Sequence, residues 1–116
     1  MILGLDTSLT AEAQATSLLA THGIDTTAVD LTLPWSDPVF VPYDYGYFAF
    51  VYDSEALSAP PASLQALVAD KNGPEIIIQD PRTSTPGLGL LLWLRQVFGE
   101  GDSDAWRALA PRIVTV

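Results

Sequence analysis

The residues best suited to chemistry lie in the segment Asp80-Pro81-Arg82-Thr83-Ser84-Thr85-Pro86-Gly87. Pro86 is typical of the first position of a helix, so we predict a helix over residues 86–98 with Thr85 as its N-cap. The first N–H groups of a helix lack intrahelical partners and carry the positive end of its dipole. Together with the hydroxyls of Ser84 and Thr85, they could hold a phosphate or carboxylate. No Gly-Lys-Ser/Thr follows, so the segment is not a P-loop.

The alternative for this segment is an ordinary helix start, since most capped helices bind nothing. Its predicted position favours binding, because open α/β folds take their ligands at the carboxyl ends of strands. A second candidate is the trio Tyr43, Asp44 and Tyr45, followed by Tyr47. Aromatic and acidic side chains suit a cationic heteroaromatic ligand. The same tyrosines could instead be strand residues whose hydroxyl groups reach water.

Other polar residues suggest chemistry less specifically. Asp6 and Asp80 each follow a predicted strand, where a carboxylate could act as an acid, a base or a metal ligand, or simply stabilise a turn. His22 precedes Gly23 near a predicted helix end and is expected to contact the helix dipole. Ser84 has no base near it in the sequence, which argues against a hydrolytic triad. A phosphate-handling α/β enzyme domain using Asp6, Asp80 and Ser84 is the enzymatic alternative.

Composition narrows the choice of function. The 116 residues carry 14 acidic and five lysine or arginine side chains, for a net charge of −9, and no cysteine. Such a surface does not neutralise nucleic-acid phosphates or anionic lipid. Disulfides and thiolate metal sites are excluded. The apolar stretch over residues 88–94 is too short to cross a bilayer. One domain or less, with ample apolar material for a core, is expected.

The segments that must position these residues alternate between strand and helix patterns. Apolar runs predict strands over residues 2–5, 40–52, 75–79 and 113–116, and residues 47–52 and 75–79 are apolar enough for both faces to be buried. Helices are predicted over residues 11–20, after Ser63, over 86–98 up to Gly99, and over 103–110. We expect core packing for Trp35, Trp93 and Trp106. This alternation predicts an α/β fold with a mainly parallel sheet flanked by helices.

Several of these segments resemble one protein family. The stretches FVPYDYGYFAFVYD (residues 40–53) and QDPRTSTPGLGLLLW (residues 79–93) closely resemble the solute-binding proteins of bacterial thiamine ABC importers. The opening LGLDTSL and the end of the chain from Ala105 to Val116 also fit, so the resemblance covers the entire chain. The stretch over residues 79–93 is its most specific part.

The resemblance implies a partial lobe of a type 2 periplasmic binding protein, in which two α/β lobes close on a ligand. Family members are roughly three times longer. Residues 1–38 would then form the end of the first lobe and an irregular crossing, and residues 39–116 part of the second lobe, with a crossing strand. Ser84, Thr85 and the backbone near Gly87 would hold the phosphate side of thiamine phosphates, with Tyr43, Asp44 and Tyr45 as possible cleft residues.

The resemblance also implies a function and a location. The expected ligand is thiamine, thiamine phosphate or thiamine diphosphate, without catalysis, cofactor or metal, and the expected partner is an ABC importer permease in the periplasm. A binding protein for iron, sulfate or polyamine is the alternative. The chain opens without a signal peptide, which we attribute to a missing beginning. A partial lobe exposes sheet edges, so we expect self-association through residues 1–5 and 113–116.

Overall fold

The computed structural model describes residues 1–28, 30–31 and 33–116, which form two compact units. The first unit is Met1–Tyr47 and the second is Phe48–Val116. Within the described residues, the helices are too short or too polar for a membrane span.

The first unit begins with a 3-10 turn, Thr7–Leu9, which leads into helix α1, Thr10–Ala15. The predicted strand over residues 2–5 was wrong, because Gly4 has a φ of +81° that interrupts an extended chain and the flanking side chains lie in solvent. The helix predicted up to residue 20 ends at Ala15. There the Thr16 hydroxyl donates to the Ala13 carbonyl at 2.7 Å, and Ser17 turns to a φ of +58°.

The remainder of this unit is irregular, with a second 3-10 turn at Thr26–Ala28. His22 does not contact a helix end as predicted, because α1 stops seven residues earlier. Its backbone N–H donates to the Pro38 carbonyl at 3.0 Å, and its Nδ1 accepts from the Ile24 N–H at 2.8 Å. Trp35 is half-buried and donates its indole N–H to the Phe40 carbonyl at 2.9 Å. Local hydrogen bonds therefore hold this segment together.

The second unit contains a small hydrophobic core built by three helices and a strand. Helix α2 is Leu64–Ala69, helix α3 is Thr85–Phe98 and helix α4 is Asp102–Leu109. Ser63 caps α2 as predicted, since its side chain accepts from the Ala66 N–H at 3.0 Å. The fully or nearly buried core residues are Leu64, Leu67, Ile76, Leu94, Ala105 and Leu109. Trp106 packs against them, as expected.

Two short parallel strands lie against this core. Strand β1 is Ile76–Ile77 and strand β2 is Ile113–Thr115, with Ile76 opposite Ile113. The parallel pairing and the helices confirm the predicted α/β class. The prediction that both faces of the strand over residues 75–79 are buried was wrong, because Ile76 is buried while Ile77 is 70% exposed. Parallel strands usually have both faces covered, so the outer face of this pair is unusually open.

The strand predicted over residues 40–52 is also wrong. The segment forms no regular strand, and its aromatic residues are largely exposed. Phe50 nevertheless contacts Trp93 of α3, with ring centroids 6.3 Å apart, and Phe48 lies against Gly89. A β-rich composition favours a strand only where a neighbouring strand can pair with it. Within the second unit, residues 48–52 therefore lie against a helix instead of extending the sheet.

Helices α3 and α4 follow the prediction closely. Gly99 ends α3 with a φ of +57°, and its N–H donates to the Arg95 carbonyl. Helix α4 begins at Asp102, with acidic Asp102 and Asp104 in its first turn and Arg107 in its last. This distribution matches the helix dipole, which is positive at the N-terminus and negative at the C-terminus. Trp93 differs from the expectation of core packing, since it is 41% exposed.

Candidate functional site

The predicted anion site is built around the start of helix α3. Ser84, not Thr85, is the N-cap, because its hydroxyl accepts from the Gly87 N–H at 3.5 Å. Its backbone is extended, with φ −135° and ψ 130°, whereas Thr85 is already the first helical residue. The prediction of Thr85 as N-cap was therefore one residue too late. Within the described part of the chain, the Thr85 N–H has no hydrogen-bond acceptor, so it remains a donor for a ligand.

A residue that sequence reasoning missed contacts this cap. The Ser84 hydroxyl donates a hydrogen bond to the side-chain Oε1 of Gln79, which lies two residues after the end of β1. An anion that uses the Ser84 hydroxyl as a donor must therefore displace the Gln79 carboxamide. Gln79 stands directly before the conspicuous Asp80-Pro81 pair. Its position five residues before Ser84, at the other end of the same loop, was the available signal.

Gly87 fixes where the helix begins. It is buried, and a Cβ at this position would collide with the main chain of Gln79 and Asp80. The first turn of α3 therefore packs directly on the loop that leaves β1. Its own N–H points to Ser84 Oγ, so this donor already has an acceptor in the structure. The loop is closed further by two backbone bonds to the Asp80 carbonyl, from Thr83 at 3.1 Å and Ser84 at 3.0 Å.

Asp80 forms an ion pair and does not serve as a free acid or base. Arg82 donates from Nη2 to Asp80 Oδ2 at 2.6 Å and from Nε to Oδ1 at 2.9 Å. Its backbone N–H also donates to Oδ1 at 2.9 Å. These bonds, with the side-chain bonds dominant, lower the pKa of Asp80 from 3.8 to about 2. Asp80 is thus ionised at neutral pH and its charge is balanced beside the candidate anion site.

The aromatic candidates lie in the first unit. Tyr43 and Tyr45 are 69% and 65% exposed, and Asp44 accepts a hydrogen bond from the Tyr45 N–H at 2.8 Å. The Tyr45 and Tyr47 rings meet edge to face, with centroids 6.1 Å apart. Aromatic faces and a carboxylate are therefore available to a ligand on this unit.

Asp6 has a structural role in the same unit. Its carboxylate accepts from the Ser8 N–H at 2.8 Å and caps the turn Thr7–Leu9. Among the residues that the structure describes, histidine and carboxylate side chains do not come together in threes to form a metal site. Asp6 thus stabilises a turn, which is one of the two roles that the sequence left open; the other was an acid, a base or a metal ligand.

The fold and the loop together define a class of protein: an α/β segment in which a helix N-terminus meets the carboxyl end of a parallel strand. A solved structure of a "Periplasmic thiamin binding protein" has this same fold. It matches with a TM-score of 0.89 and 50% sequence identity, over 97% of this chain and 36% of that chain. No family model matches the chain.

Curated relatives match over the full chain. Proteins named "Thiamine-binding periplasmic protein" are 53% identical in Brucella abortus, 50% in Escherichia coli and 40% in Haemophilus influenzae. The match covers 100% of this chain and 35 to 36% of each relative, so the chain spans about a third of their length. The chain therefore corresponds to one segment of the thiamine-binding periplasmic proteins, and the resemblance expected from its sequence is confirmed.

Proposed function

We propose that this chain is part of the solute-binding component of an ABC importer and contributes to a site for thiamine and its phosphate esters. The observation that carries the proposal is the match of the whole chain, at 40 to 53% identity, to proteins named for thiamine binding. Those names describe binding proteins, and we propose no catalytic step. We assign the same periplasmic location to the parent of this chain.

The start of α3 would serve the phosphate side of the ligand. The Thr85 N–H lacks an acceptor within the described chain and lies at the positive end of a 14-residue helix. The Ser84 hydroxyl can turn from Gln79 to a phosphate oxygen, exchanging one hydrogen bond for a charge-assisted one. Gly87 keeps this helix end fixed against the loop. Tyr43, Asp44 and Tyr45, which belong to the first unit, remain candidates for contacting a cationic aromatic group through cation–π and charge contacts.

A chimera gives the sharpest test of this proposal. This chain replaces the matching segment of the Escherichia coli relative, and isothermal titration measures thiamine, thiamine phosphate and thiamine diphosphate. We expect binding of thiamine or its esters. The double variant Ser84→Ala/Thr85→Ala should weaken binding of the two esters at least about tenfold, or about 1.4 kcal/mol, and change thiamine affinity much less. Ester affinity unchanged by the double variant would contradict the assignment of this helix end.

The matched control is Ser63→Ala. It removes the N-cap hydroxyl of α2, so the loss of stability should be similar while the start of α3 stays intact. We expect Ser63→Ala to leave the affinity ratio of thiamine to its esters unchanged.

The alternative solute class has its own test, in which iron, sulfate and a polyamine are titrated into the same chimera. Heat with one of these and none with thiamine would favour the alternative solute class.

The isolated chain should bind weakly, because it spans about a third of the relatives. We expect its affinity to lie at least about 100-fold below that of the chimera, a difference of about 2.7 kcal/mol. Near-equal affinity would mean that this chain carries the complete site.

Two further expectations concern partners. We propose that the parent delivers its ligand to an ABC importer permease, which a pull-down with the purified permease would test. We also propose that the isolated chain self-associates through β2 and the exposed residues 1–5. A monomeric mass by light scattering at high micromolar concentration would contradict self-association.

A further inference from the structure

The side chain of Gln79 controls which hydrogen-bonding groups Ser84 can offer to a ligand. In the structure the Ser84 hydroxyl donates its proton to Gln79 Oε1, and Ser84 Oγ accepts from the Gly87 N–H at 3.5 Å. A serine hydroxyl has one proton and two lone pairs. One lone pair is therefore all that Ser84 has left in this arrangement. It can accept a hydrogen bond from a ligand but cannot donate one.

A phosphate group needs the opposite arrangement, because its ionised oxygens only accept hydrogen bonds. If the Ser84 proton turns towards a phosphate oxygen, Gln79 Oε1 loses its donor and faces a lone pair of Ser84 Oγ. A half-turn of the carboxamide replaces Oε1 by Nε2, and Nε2 can donate to Oγ. Ser84 Oγ then accepts from Gly87 and Gln79 while its proton binds the phosphate. The hydroxyl is fully hydrogen-bonded in this second arrangement as well.

The loop holds the backbone of Gln79 in place while its carboxamide can turn. The Gln79 main chain lies against Gly87, where a Cβ would collide with it. The Gln79 side chain is exposed, and its Nε2 makes no hydrogen bond to the described residues. The neighbouring Asp80 carboxylate is held by Arg82 on both oxygens. Because the terminal torsion of glutamine is broad and two-fold, both orientations of the carboxamide are accessible.

We propose that Gln79 is a positioning residue for ligand selection at this helix end, and that its carboxamide turns to convert Ser84 from an acceptor into a donor when the ligand carries a phosphate. The inference rests on the proposed function, since it concerns the same helix end and the same ligands. With Oε1 towards Ser84, the site suits a ligand group that donates, such as an alcohol. With Nε2 towards Ser84, it suits a phosphate ester.

Two substitutions of Gln79 separate this role from a merely structural one. Gln79→Glu places an ionised carboxylate that only accepts, so it fixes the Ser84 proton away from the ligand. Gln79→Met has a similar length and releases the proton. In the chimera with the Escherichia coli relative, isothermal titration should show thiamine phosphate binding at least about tenfold weaker for Gln79→Glu, but within about threefold of the parent for Gln79→Met. Equal losses for the two variants would overturn the inference.

The negative charge of Gln79→Glu also repels the ester directly, and a double-mutant cycle removes that effect. Repulsion acts whether or not Ser84 is present, whereas fixing of the proton requires the Ser84 hydroxyl. The loss caused by Gln79→Glu should therefore be at least about fivefold larger with Ser84 than in the Ser84→Ala background. The same loss in both backgrounds would overturn the inference. Gln96→Glu, on an exposed position about three turns further along α3, is the matched charge control and should change ester affinity less than about twofold.

The pH dependence gives a second readout. A protonated glutamic acid can donate to Ser84 Oγ, so the affinity of Gln79→Glu for thiamine phosphate, relative to the parent chimera, should recover as the pH falls from about 7 to about 4.5. The neighbouring Asp80 stays ionised over this range, because its bonds to Arg82 hold its pKa at about 2. Titration of the ester itself affects both proteins and cancels in the ratio. A ratio that does not change with pH would contradict the inference.

The turn of the carboxamide is observed in the side-chain NH₂ signals of Gln79, which are assigned by their loss in Gln79→Met. In NMR spectra of the chimera they should move downfield when thiamine phosphate binds, and stay in place in the Ser84→Ala variant. Unmoved signals in a protein that binds the ester would overturn the inference. If the parent chimera binds no ester, the proposed function fails together with this inference. If ester binding needs Ser84 but Gln79→Glu behaves like Gln96→Glu, the inference alone fails.

Discussion

Gly87 lies against the main chain of Gln79, so closely that a Cβ on Gly87 would come within 2.8 Å of the Gln79 carbonyl carbon. This contact joins the first turn of α3 to the loop that leaves β1. The helix end with its unused Thr85 N–H is thereby held at one place relative to the strand. Positioning of the candidate site thus depends on a glycine that has no side chain to bind a ligand.

Gly87→Ala should destabilise the protein by about 1 to 3 kcal/mol, because the added methyl group meets backbone atoms that cannot rotate away. Chemical denaturation followed by tryptophan fluorescence measures the change. Gly101→Ala is the matched control, since nothing lies within 4 Å of a Cβ there and its φ is −84°. Equal stability of the two variants would show that α3 can shift away from the loop.

The cap of α3 gives a second prediction. Ser84→Ala should lower the free energy of unfolding by about 0.5 to 2 kcal/mol, because it removes the acceptor for the Gly87 N–H. Ser63→Ala should have a similar effect through α2. Thr85→Ala should change stability by less than about 0.5 kcal/mol, since Thr85 is inside the helix. If Thr85→Ala lowers the free energy of unfolding more than Ser84→Ala does, Thr85 is the N-cap, as predicted from the sequence.

Local signals predicted the second unit well. Ser63, Pro86 and Gly99 mark helix ends through side-chain caps, a fixed φ and a positive φ, which depend on residues within one turn. The apolar strands 76–77 and 113–115 were also located, and so was the helix start that carries the candidate site. The cap itself was misplaced by one residue, because Ser84 and Thr85 have equally suitable hydroxyls.

The predictions that failed depended on distant partners. Phe48 and Phe50 have the residue types of a strand, but they contact α3 in a chain that spans a third of its relatives. Residues 2–5 are apolar enough for a strand, yet Gly4 turns the backbone and Ile2 and Leu3 remain exposed. Sheet formation requires a neighbouring strand at the right position, and sequence periodicity carries no information about that neighbour.

The ion pair at Asp80 predicts a measurable titration. The pKa of Asp80 is lowered to about 2 by the Arg82 bonds, so their stabilising effect is complete above the unfolded value near 4. That stabilisation is lost as the pH falls through about 2. Arg82→Ala should raise the pKa of Asp80 towards its ordinary value, as measured by the carboxyl carbon shift in NMR. Arg107→Ala, which removes the Asp104 pair on α4, should leave the Asp80 titration unchanged.

Arg112 joins three segments of the second unit from a buried position. Its Nη2 donates to the Leu67 carbonyl in α2, and its Nη1 donates to the Pro74 carbonyl at 3.4 Å. The side chain is only 7% exposed, and its Nε lacks a partner within the described residues. The guanidinium group also occupies the space where a side chain at Gly73 would lie. One buried cation thus links the end of α2, the loop before β1 and the start of β2.

Arg112→Ala should therefore lower the free energy of unfolding by more than about 2 kcal/mol. It leaves two carbonyls without their donor, each costing about 1 to 3 kcal/mol where water cannot replace it, and it opens a cavity. Arg107→Ala is the matched control, because that side chain is 76% exposed. We expect this substitution to lower the free energy of unfolding by less than about 0.5 kcal/mol. Arg112→Met keeps most of the volume without the donors, so its loss measures the hydrogen bonds separately from the cavity. If Arg112→Met is as stable as the parent chain, the unpartnered Nε offsets the two bonds, and packing alone accounts for the stabilising effect of this residue.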